Sequence, residues 1–376
     1  MLTAALVLPY FVDWTSYRAD FEREASRILG REVKVEGSVS ARLLPFPSVT
    51  FADVVVAGVE PGEEAMTVET FSMDAELAPF MRGELHIFDM RLVRPSATIA
   101  VAEDGTVDWS VRPSSPVDAS NISLEKLTIT EGRVDGRHAA SGRTHSLTEI
   151  NADVSARALT GPWRMEGSMR LDGMRTALSA STGSVDADGR MRMRLVANPE
   201  RYPLSLEADG SVRIADSGLH YAGEFKLNAA GQIAEQSDAG APPPPAYRVT
   251  GDFDFDHEAL DIETFRFATG PLEDPYTAEG SARFALGAEP RFDITADGAQ
   301  IRFEDAAGAE SAAGIDLEQR LTALHEFLLD MPRPQIPGRI AVKLPAIVAG
   351  DTTIRDVHLS AEPSEAGWAV GSLGAT

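Results

Sequence analysis

The chain has 376 residues, with 58 Asp plus Glu against 34 Lys plus Arg, a formal charge of -24. Only 4 of the basic residues are Lys, leaving 34 − 4 = 30 Arg, and they are scattered, so the clustered cations that a duplex nucleic-acid binder needs are missing. At 43% apolar and 24% charged residues the composition is that of a folding chain, and the lack of cysteine removes thiol catalysis, Cys-ligated zinc, iron–sulfur clusters and disulfides.

Leu2 to Val12 carry no charge. At about 1.5 Å per residue they span roughly half of a ~30 Å hydrocarbon core. A signal peptide needs a basic start and a small-residue cleavage site, and neither is present. The stretch reads as a partial membrane anchor over residues 1–14, built from Leu2, Leu6, Val7, Leu8, Tyr10, Phe11 and Trp14, with the aromatics in the interfacial belt. A buried strand or core helix is the competing reading.

Asp13 to Gly30 has helical periodicity. Tyr17, Phe21, Ala25 and Ile28 form one stripe, Arg18, Glu22 and Arg27 lie off it, and Gly30 is a stop. From Arg31 the period becomes two. Val33, Val35 and Val39, then Val49 to Ala57, Met66 to Leu77 and Glu84 to Val93, read as strands with prolines near their ends. Residues 113–121 form a Pro/Ser linker. A meander over 122–238 follows, divided by Asp-Gly turns; Asp104-Gly105, Asp172-Gly173, Asp188-Gly189, Asp209-Gly210 and Asp297-Gly298 are hairpin signals.

Residues 239–247 are a stiff Pro-rich loop. The region 248–332 is again β and ends in an amphipathic helix, Asp316 to Met331, with Leu317, Leu321, Leu324 and Phe327 on its stripe. Residues 333–376 begin a further β region that stops in mid-strand, so the sequence reads as a piece of a longer chain. The fold expected is mainly β: an elongated, curved, groove-like antiparallel sheet partly covered by amphipathic helices.

Catalytic signatures are missing. There is no Gly-x-Ser-x-Gly elbow, phosphate loop or dinucleotide turn, and no two of the 7 histidines lie close enough for a helical metal pair. No cofactor is expected. Asp252, Asp254, Asp256 and Glu263 mimic the charge pattern of a calcium loop, but His257 stands where that loop needs glycine. A strand with an acidic wet face and an aromatic dry face accounts for them better. That dry face continues through Phe253, Phe255, Phe265, Phe267, Phe284, Phe292, Ile294 and Phe303. Stacked in one sheet, these residues build either a core under a helix or a groove for an acyl chain, and both use the same residues.

The first hundred residues carry a more specific pattern. Phe11-Val-Asp-Trp-Thr-Ser-Tyr-Arg leads to Ala25-Ser-Arg-Ile-Leu-Gly-Arg-Glu-Val-Lys-Val-Glu-Gly37, then to Arg42-Leu-Leu-Pro-Phe-Pro-Ser-Val49. Met73-Asp-Ala-Glu-Leu-Ala-Pro-Phe-Met-Arg-Gly-Glu-Leu85, Leu92-Val-Arg-Pro95 and Asp104-Gly105 with Trp109 follow. In order and spacing, residues 5–112 resemble the N-terminal region of the AsmA family. That resemblance implies anchoring in the bacterial inner membrane with the bulk of the chain in the periplasm. It implies a long sheet like that of bridge-like lipid-transfer proteins, and a part in outer-membrane biogenesis, phospholipid traffic or protein targeting to membranes. The partners it implies are phospholipid or another acyl-chain lipid, the inner membrane and outer-membrane components; no nucleic acid and no catalytic residues come with it. A scaffold for membrane-protein assembly and an unrelated β hydrolase or metal binder are the alternatives.

Overall fold

The computed structural model describes residues 18–58, 62–82, 84–108, 122–158, 160–171, 173–186, 188–215, 218–229, 247–269, 275–302, 336–349, 352–364 and 367–374. Of these, 73% lie in strands and 6% in helices. The chain divides into two compact units, Met1–Tyr202 with Asp209–Leu219, and Pro203–Ala208 with His220–Thr376.

The first unit opens with α1 (Arg18–Leu29), stopped by Gly30 at φ +71, whose N–H returns to the Ser26 carbonyl at 2.9 Å. β1 (Val33–Val35) and β2 (Val39–Arg42) both pair with β3 (Ser48–Ala57), which pairs with β4 (Glu64–Ala75). A single turn, α2 (Leu77–Phe80), leads to β5 (Leu85–Val93) and β6 (Ser96–Val101). Both lie beside β4 and both run parallel to β8 (Ile122–His138). The two are one line interrupted at Arg94-Pro95, because proline offers no N–H to the ladder. β7 (Val107–Asp108) closes a turn on β6 at Gly105, φ +84. Antiparallel strands β9 (Arg143–Ala156), β10 (Trp163–Leu171), β11 (Met174–Thr182) and β12 (Arg190–Pro199) follow in register. The pairing is thus mixed, where an antiparallel sheet was expected.

α1 does more than cover a face. Phe21, Ala25 and Leu29 pack on the valine cluster Val33, Val35, Val39, Val54, Val56 and Val68. The inward line is therefore i, i+4, i+8, ending on Leu29 where the sequence pointed to Ile28. Glu22 and Ser26 accept the N–H groups of Val35 and Val33, each at 2.8 Å, and Arg18 donates to the Gly37 carbonyl at 2.6 Å. These side chains occupy backbone groups that an edge strand otherwise leaves open.

Among the described residues of this unit, four that are not glycine hold left-handed backbone: Asp53 (φ 53), Arg94 (φ 49), Glu131 (φ 53) and Glu149 (φ 49). They lie on one line across the strands. Glu69 pairs with Arg94, Arg94 Nη1 reaches Glu131 at 3.4 Å, and the Glu131 N–H donates to Asn151 Oδ1 at 3.1 Å. Asn151 Nδ2 donates to the Glu149 carbonyl at 2.9 Å. The inward-facing parity changes at this line. In β3 both Phe51 and Val54, three residues apart, join the cluster, and in β4 both Phe71 and Val68 do.

The second unit carries β14 (Gly218–Ala229) from His220 onward, β15 (Tyr247–Phe255), β16 (Ala259–Thr269), β17 (Tyr276–Ala285) and β18 (Arg291–Gly298), antiparallel in sequence. β19 (Ile301–Arg302) and β18 pair in parallel with β20 (Gly338–Ala349), which continues into β21 (Thr352–Ser364) and β22 (Gly367–Gly374). β13 (Leu204–Ala215) lies where the division falls.

Three expectations change. Asp209-Gly210 and Asp297-Gly298 are strand residues of β13 and β18, not hairpins. In contrast, Leu171 pairs with Met174 around a two-residue loop with Gly173 at φ +88. The membrane anchor is the third. Among the described residues no helix is long and apolar enough to cross a membrane. α1 has 12 residues, about 18 Å of rise against a ~30 Å core, and it carries Arg18, Asp20, Glu22, Arg23, Glu24 and Arg27. The expectation of an inner-membrane protein held by a single N-terminal anchor is corrected accordingly; a span made of strands is a separate matter. Leu2, Leu6, Val7, Leu8, Tyr10, Phe11 and Trp14 lie outside the described residues, as do the helix expected over 316–331, the Pro-rich loop before Tyr247 and Phe303.

Candidate functional site

In a sheet, residues directly opposite on neighbouring strands point to the same face. Register alone therefore assembles the candidate surface of the second unit. One row reads Tyr221, Phe255, Leu260, Phe284, Phe292, Gly338 across β14 to β20. The next holds Ile262, Ala282, Ile294, Ile340 and Ala361. A third reads Phe225, Gly251, Phe265, Gly280, Ala296, Val342, Leu359, and a fourth Leu227, Val249, Phe267, Ala278. At about 4.8 Å per strand, six strands make an apolar track of about 24 Å, the scale of an acyl chain.

Glycines inside these strands are part of the surface. A Cβ at Gly251 would stand 3.0 Å from the Phe225 ring, and one at Gly280 would stand 2.7 Å from the Phe265 ring. At Gly338 it would collide with the Phe292 ring. Each glycine faces an aromatic residue across the ladder, and the ring lies over the space where a side chain would be. Phe292 leans this way far enough to meet Trp368 of β22 edge to face, centroids 6.1 Å apart, and lies 6.2 Å from Phe284. Tyr221 meets Phe253 at 4.8 Å, and Tyr247 stacks on Phe267 at 5.9 Å.

The opposite face is mostly polar, with alanines such as Ala222, Ala268 and Ala341 among the charged residues. His220 Nε2 lies 3.0 Å from Asp254, Arg283 binds both oxygens of Asp261 at 2.8 Å, Ser281 meets Thr295 at 3.0 Å, and Arg339 binds Asp293 at 3.0 Å. These cross-strand pairs are exposed and contribute at most about 1 kcal/mol each. Their larger effect is to assign one face to water.

Seven of the residues singled out from sequence, Phe253, Phe255, Phe265, Phe267, Phe284, Phe292 and Ile294, thus share one face. Their depths differ. Phe292 is 2% exposed and Phe253 8%, so both are core, whereas Phe255, Phe265, Phe267, Phe284 and Ile294 are half-buried. Asp252 and Asp254 stand on the polar side of β15, while Asp256 Oδ1 accepts the N–H groups of Glu258 and Ala259 in the turn. Among the described residues no three His, Asp or Glu converge on a metal-sized site. Burial raises the phenol pKa of Tyr247 and of Tyr276, and the Tyr276 hydroxyl donates to the Ala299 carbonyl at 3.1 Å.

Sequence reasoning missed Tyr221, Phe225, Tyr247 and Trp368, although the strand-interior glycines were a signal for the rings above them. It also missed the first unit, where the same construction recurs. One row there reads Phe51, Phe71, Leu92, Ile129, Ala152, Gly167, Leu178, Ala197 across β3 to β12. Beside it runs Met73, Met90, Leu127, Val154, Met165, Ala180, Leu195. In β12 Met191, Met193 and Leu195 are half-buried while Arg190, Arg192 and Arg194 alternate with them on the exposed side. Methionine suits such a face because its unbranched thioether adapts to irregular apolar partners.

The class defined by these observations is a two-faced β-sheet protein, with continuous apolar rows on one side of each unit and ion-paired polar rows on the other. Comparison with protein-family models, with curated proteins and with solved structures finds no match.

Proposed function

We propose that the chain is a non-enzymatic carrier of phospholipid or another acyl-chain lipid, moving it between membranes along the apolar face of its sheets. The observation that carries this reading is the set of apolar rows crossing many strands, in which Phe255, Phe265, Phe267, Phe284 and Ile294 stay half-buried beside the core residues Phe292 and Tyr221. A buried methylene gains about 0.8 kcal/mol, so such a row competes with a bilayer without any specific polar site. Transfer is then passive sliding along a gradient. The similarity of residues 5–112 to the AsmA family supports the same reading.

Photocrosslinking residues placed at Phe255 and Phe267 in vivo, with Lys226 and Arg190 as polar controls, test it by mass spectrometry of the purified chain. Phospholipid attached at the Phe positions and not at the controls is the expected result. Phe292, being core, should stay silent. No lipid at any position would make the rows ordinary packing.

A scaffold for protein targeting to and assembly in membranes is the second reading. Among the described residues β22 pairs with β21 alone, and Val370 on it is 54% exposed. A partner strand could add at that edge. Polar replacement of Phe255 and Phe267 would then spare function.

A further inference from the structure

We infer that one rim of the first unit's sheet docks on a phospholipid bilayer surface, seating the exposed side chains of Leu43, Met81 and Val185 among the headgroups. The inference goes beyond the carrier reading. It concerns where a membrane meets the chain, and it stands whether or not the apolar rows hold lipid.

Register places four loops at the same ends of the strands. Arg42 pairs with Ser48, Ser48 with Asp74 and Ala75 with Ile87. Leu85 pairs with Ile122, Leu124 with Ala156, Ala156 with Trp163, Arg164 with Ser181 and Thr182 with Met193. Residues 43–47, 76–84, 157–162 and 183–189 therefore share one rim. Among the described residues, Leu43 (52%), Met81 (78%) and Val185 (51%) stand exposed on it, against Leu171 (43%) alone at the opposite strand ends of this unit. One exposed apolar side chain is ordinary; three on one rim call for a reason. Their loops are fixed. The Arg42 guanidinium lies 4.7 Å over the Phe46 ring, which meets Phe88 at 5.1 Å. The Met81 N–H donates to the Leu77 carbonyl at 3.1 Å, and Asp186 Oδ1 accepts the N–H groups of Asp188 and Arg190 at 2.9 and 2.8 Å.

Spacing and charge identify the occupant. From β3 to β11 is six strand steps, about 29 Å, so Leu43 and Val185 do not enter one pocket of a protein partner. A bilayer is continuous and takes both. Counted with one strand residue on each side, the four loops (42–48, 75–85, 156–163, 182–190) carry 4 Arg and 4 acids, 4 − 4 = 0. The turns at the opposite ends (57–64, 101–107, 138–143, 171–174) carry 1 Arg and 6 acids, 1 − 6 = −5. In a chain of charge -24, phosphates repel this rim least, and the opposite rim turns away. Arg42 and Arg82 adjoin Leu43 and Met81, so guanidinium groups meet phosphates where the apolar neighbours enter. The sheet's apolar face also reaches this rim, through Ile87, Leu124, Ala156 and Trp163.

The test uses the full chain and unilamellar vesicles of phosphatidylcholine. Leu43→Ser, Met81→Ser and Val185→Ser alter exposed positions, so the urea midpoint should hold. Each should weaken vesicle binding about three- to tenfold and the triple variant about a hundredfold, while Leu171→Ser stays within about twofold. The chain has no cysteine, so Leu43→Cys, Met81→Cys, Val185→Cys and Leu171→Cys each carry one environment-sensitive fluorophore. Vesicles should shift its emission to the blue at 43, 81 and 185 and leave it unmoved at 171. Bulk binding also registers the uncharged stretch Leu2–Val12; the labels register the rim alone. No shift at the three positions, an equal shift at 171, or a triple variant that binds like wild type would overturn the docking and leave the rim to a protein partner. Blue shifts at the rim without lipid crosslinking at Phe255 and Phe267 would instead remove the carrier reading and keep this one.

Discussion

Truncating Phe292 to alanine separates core from exposed face within one row. Among the described residues Phe292 is the largest fully buried side chain, 2% exposed, between Phe284 and Trp368. An aromatic ring buries about 200 Å², so its removal forfeits about 5 kcal/mol at 25 cal/mol per Å². Measured Phe→Ala costs in cores run about 3–5 kcal/mol once partial collapse is allowed. Phe267, half-buried and stacked on Tyr247, should lose only about 1–2 kcal/mol on the same change, because its site is already partly hydrated. With a urea slope of about 2 kcal/mol/M, Phe292→Ala moves the midpoint down by about 2 M and Phe267→Ala by less than about 1 M. Urea titration of both variants, followed by hydrogen exchange in β18, measures the difference. Lipid crosslinking at position 255 should respond in the opposite order, suffering more from Phe267→Ser than from Phe292→Leu. A Phe292→Ala loss equal to or smaller than that of Phe267→Ala would refute the assignment of depth along the row.

Gly280→Ala should destabilise by about 2–3 kcal/mol in chemical unfolding, because the new methyl meets the Thr295 carbonyl oxygen and stands 2.7 Å from the Phe265 ring. At Glu131, φ 53, glycine should be more stable than alanine by about 1 kcal/mol, since both lose the exposed pair with Arg94 and only glycine relieves the left-handed backbone. Tyr247 and Tyr276 have raised phenol pKa values, through burial. Their contribution to stability is full below the unfolded value of about 10 and is lost as pH rises through the folded value. Replacing both by Phe should flatten the alkaline limb of a stability–pH curve. Asp135 works in the other direction: the hydrogen bond from Arg133, then that from Ser146, lowers its pKa. Its contribution is present above about 3.9 and is lost as pH falls through the folded value, so Asp135→Asn should reduce the acid dependence of the midpoint.

Strand identity was legible because alternation of apolar and polar residues is a local property. Val33 and Val35, the run ending at Ala57 and the Phe pairs of β15 to β18 could be read without any partner. Within each strand, the sharing of one face by such a pair followed from parity. Partner choice was not legible. The parallel returns of β8 and β20 depend on where a chain comes back after an excursion, and no local pattern records that. Asp209-Gly210 failed as a turn because ladder partners on the strand outweigh a two-residue preference. Leu29 displaced Ile28 because the sheet selects the helix face, and neighbouring positions on a helix differ by only about 100°. The rows of the first unit were overlooked because Met, Ala and Leu spread over many strands lack the visual density of paired phenylalanines.

The line of left-handed residues through Asp53, Arg94, Glu131 and Glu149 bears on how such a sheet finds its alignment. Strands that all alternate apolar and polar are nearly degenerate: sliding one past its neighbour by two positions keeps every apolar residue on the apolar side. A parity change breaks that degeneracy. After a two-residue slide of β3 against β4, the change at Asp53 would no longer face the one at Glu69, and one stretch of each strand would turn valines to water. The same holds at the next boundaries, where Glu131 and Glu149 must meet across β8 and β9. The irregularities act as notches on a set of otherwise interchangeable rulers. They let a long, repetitive surface assemble in one alignment without requiring that any single apolar contact be specific.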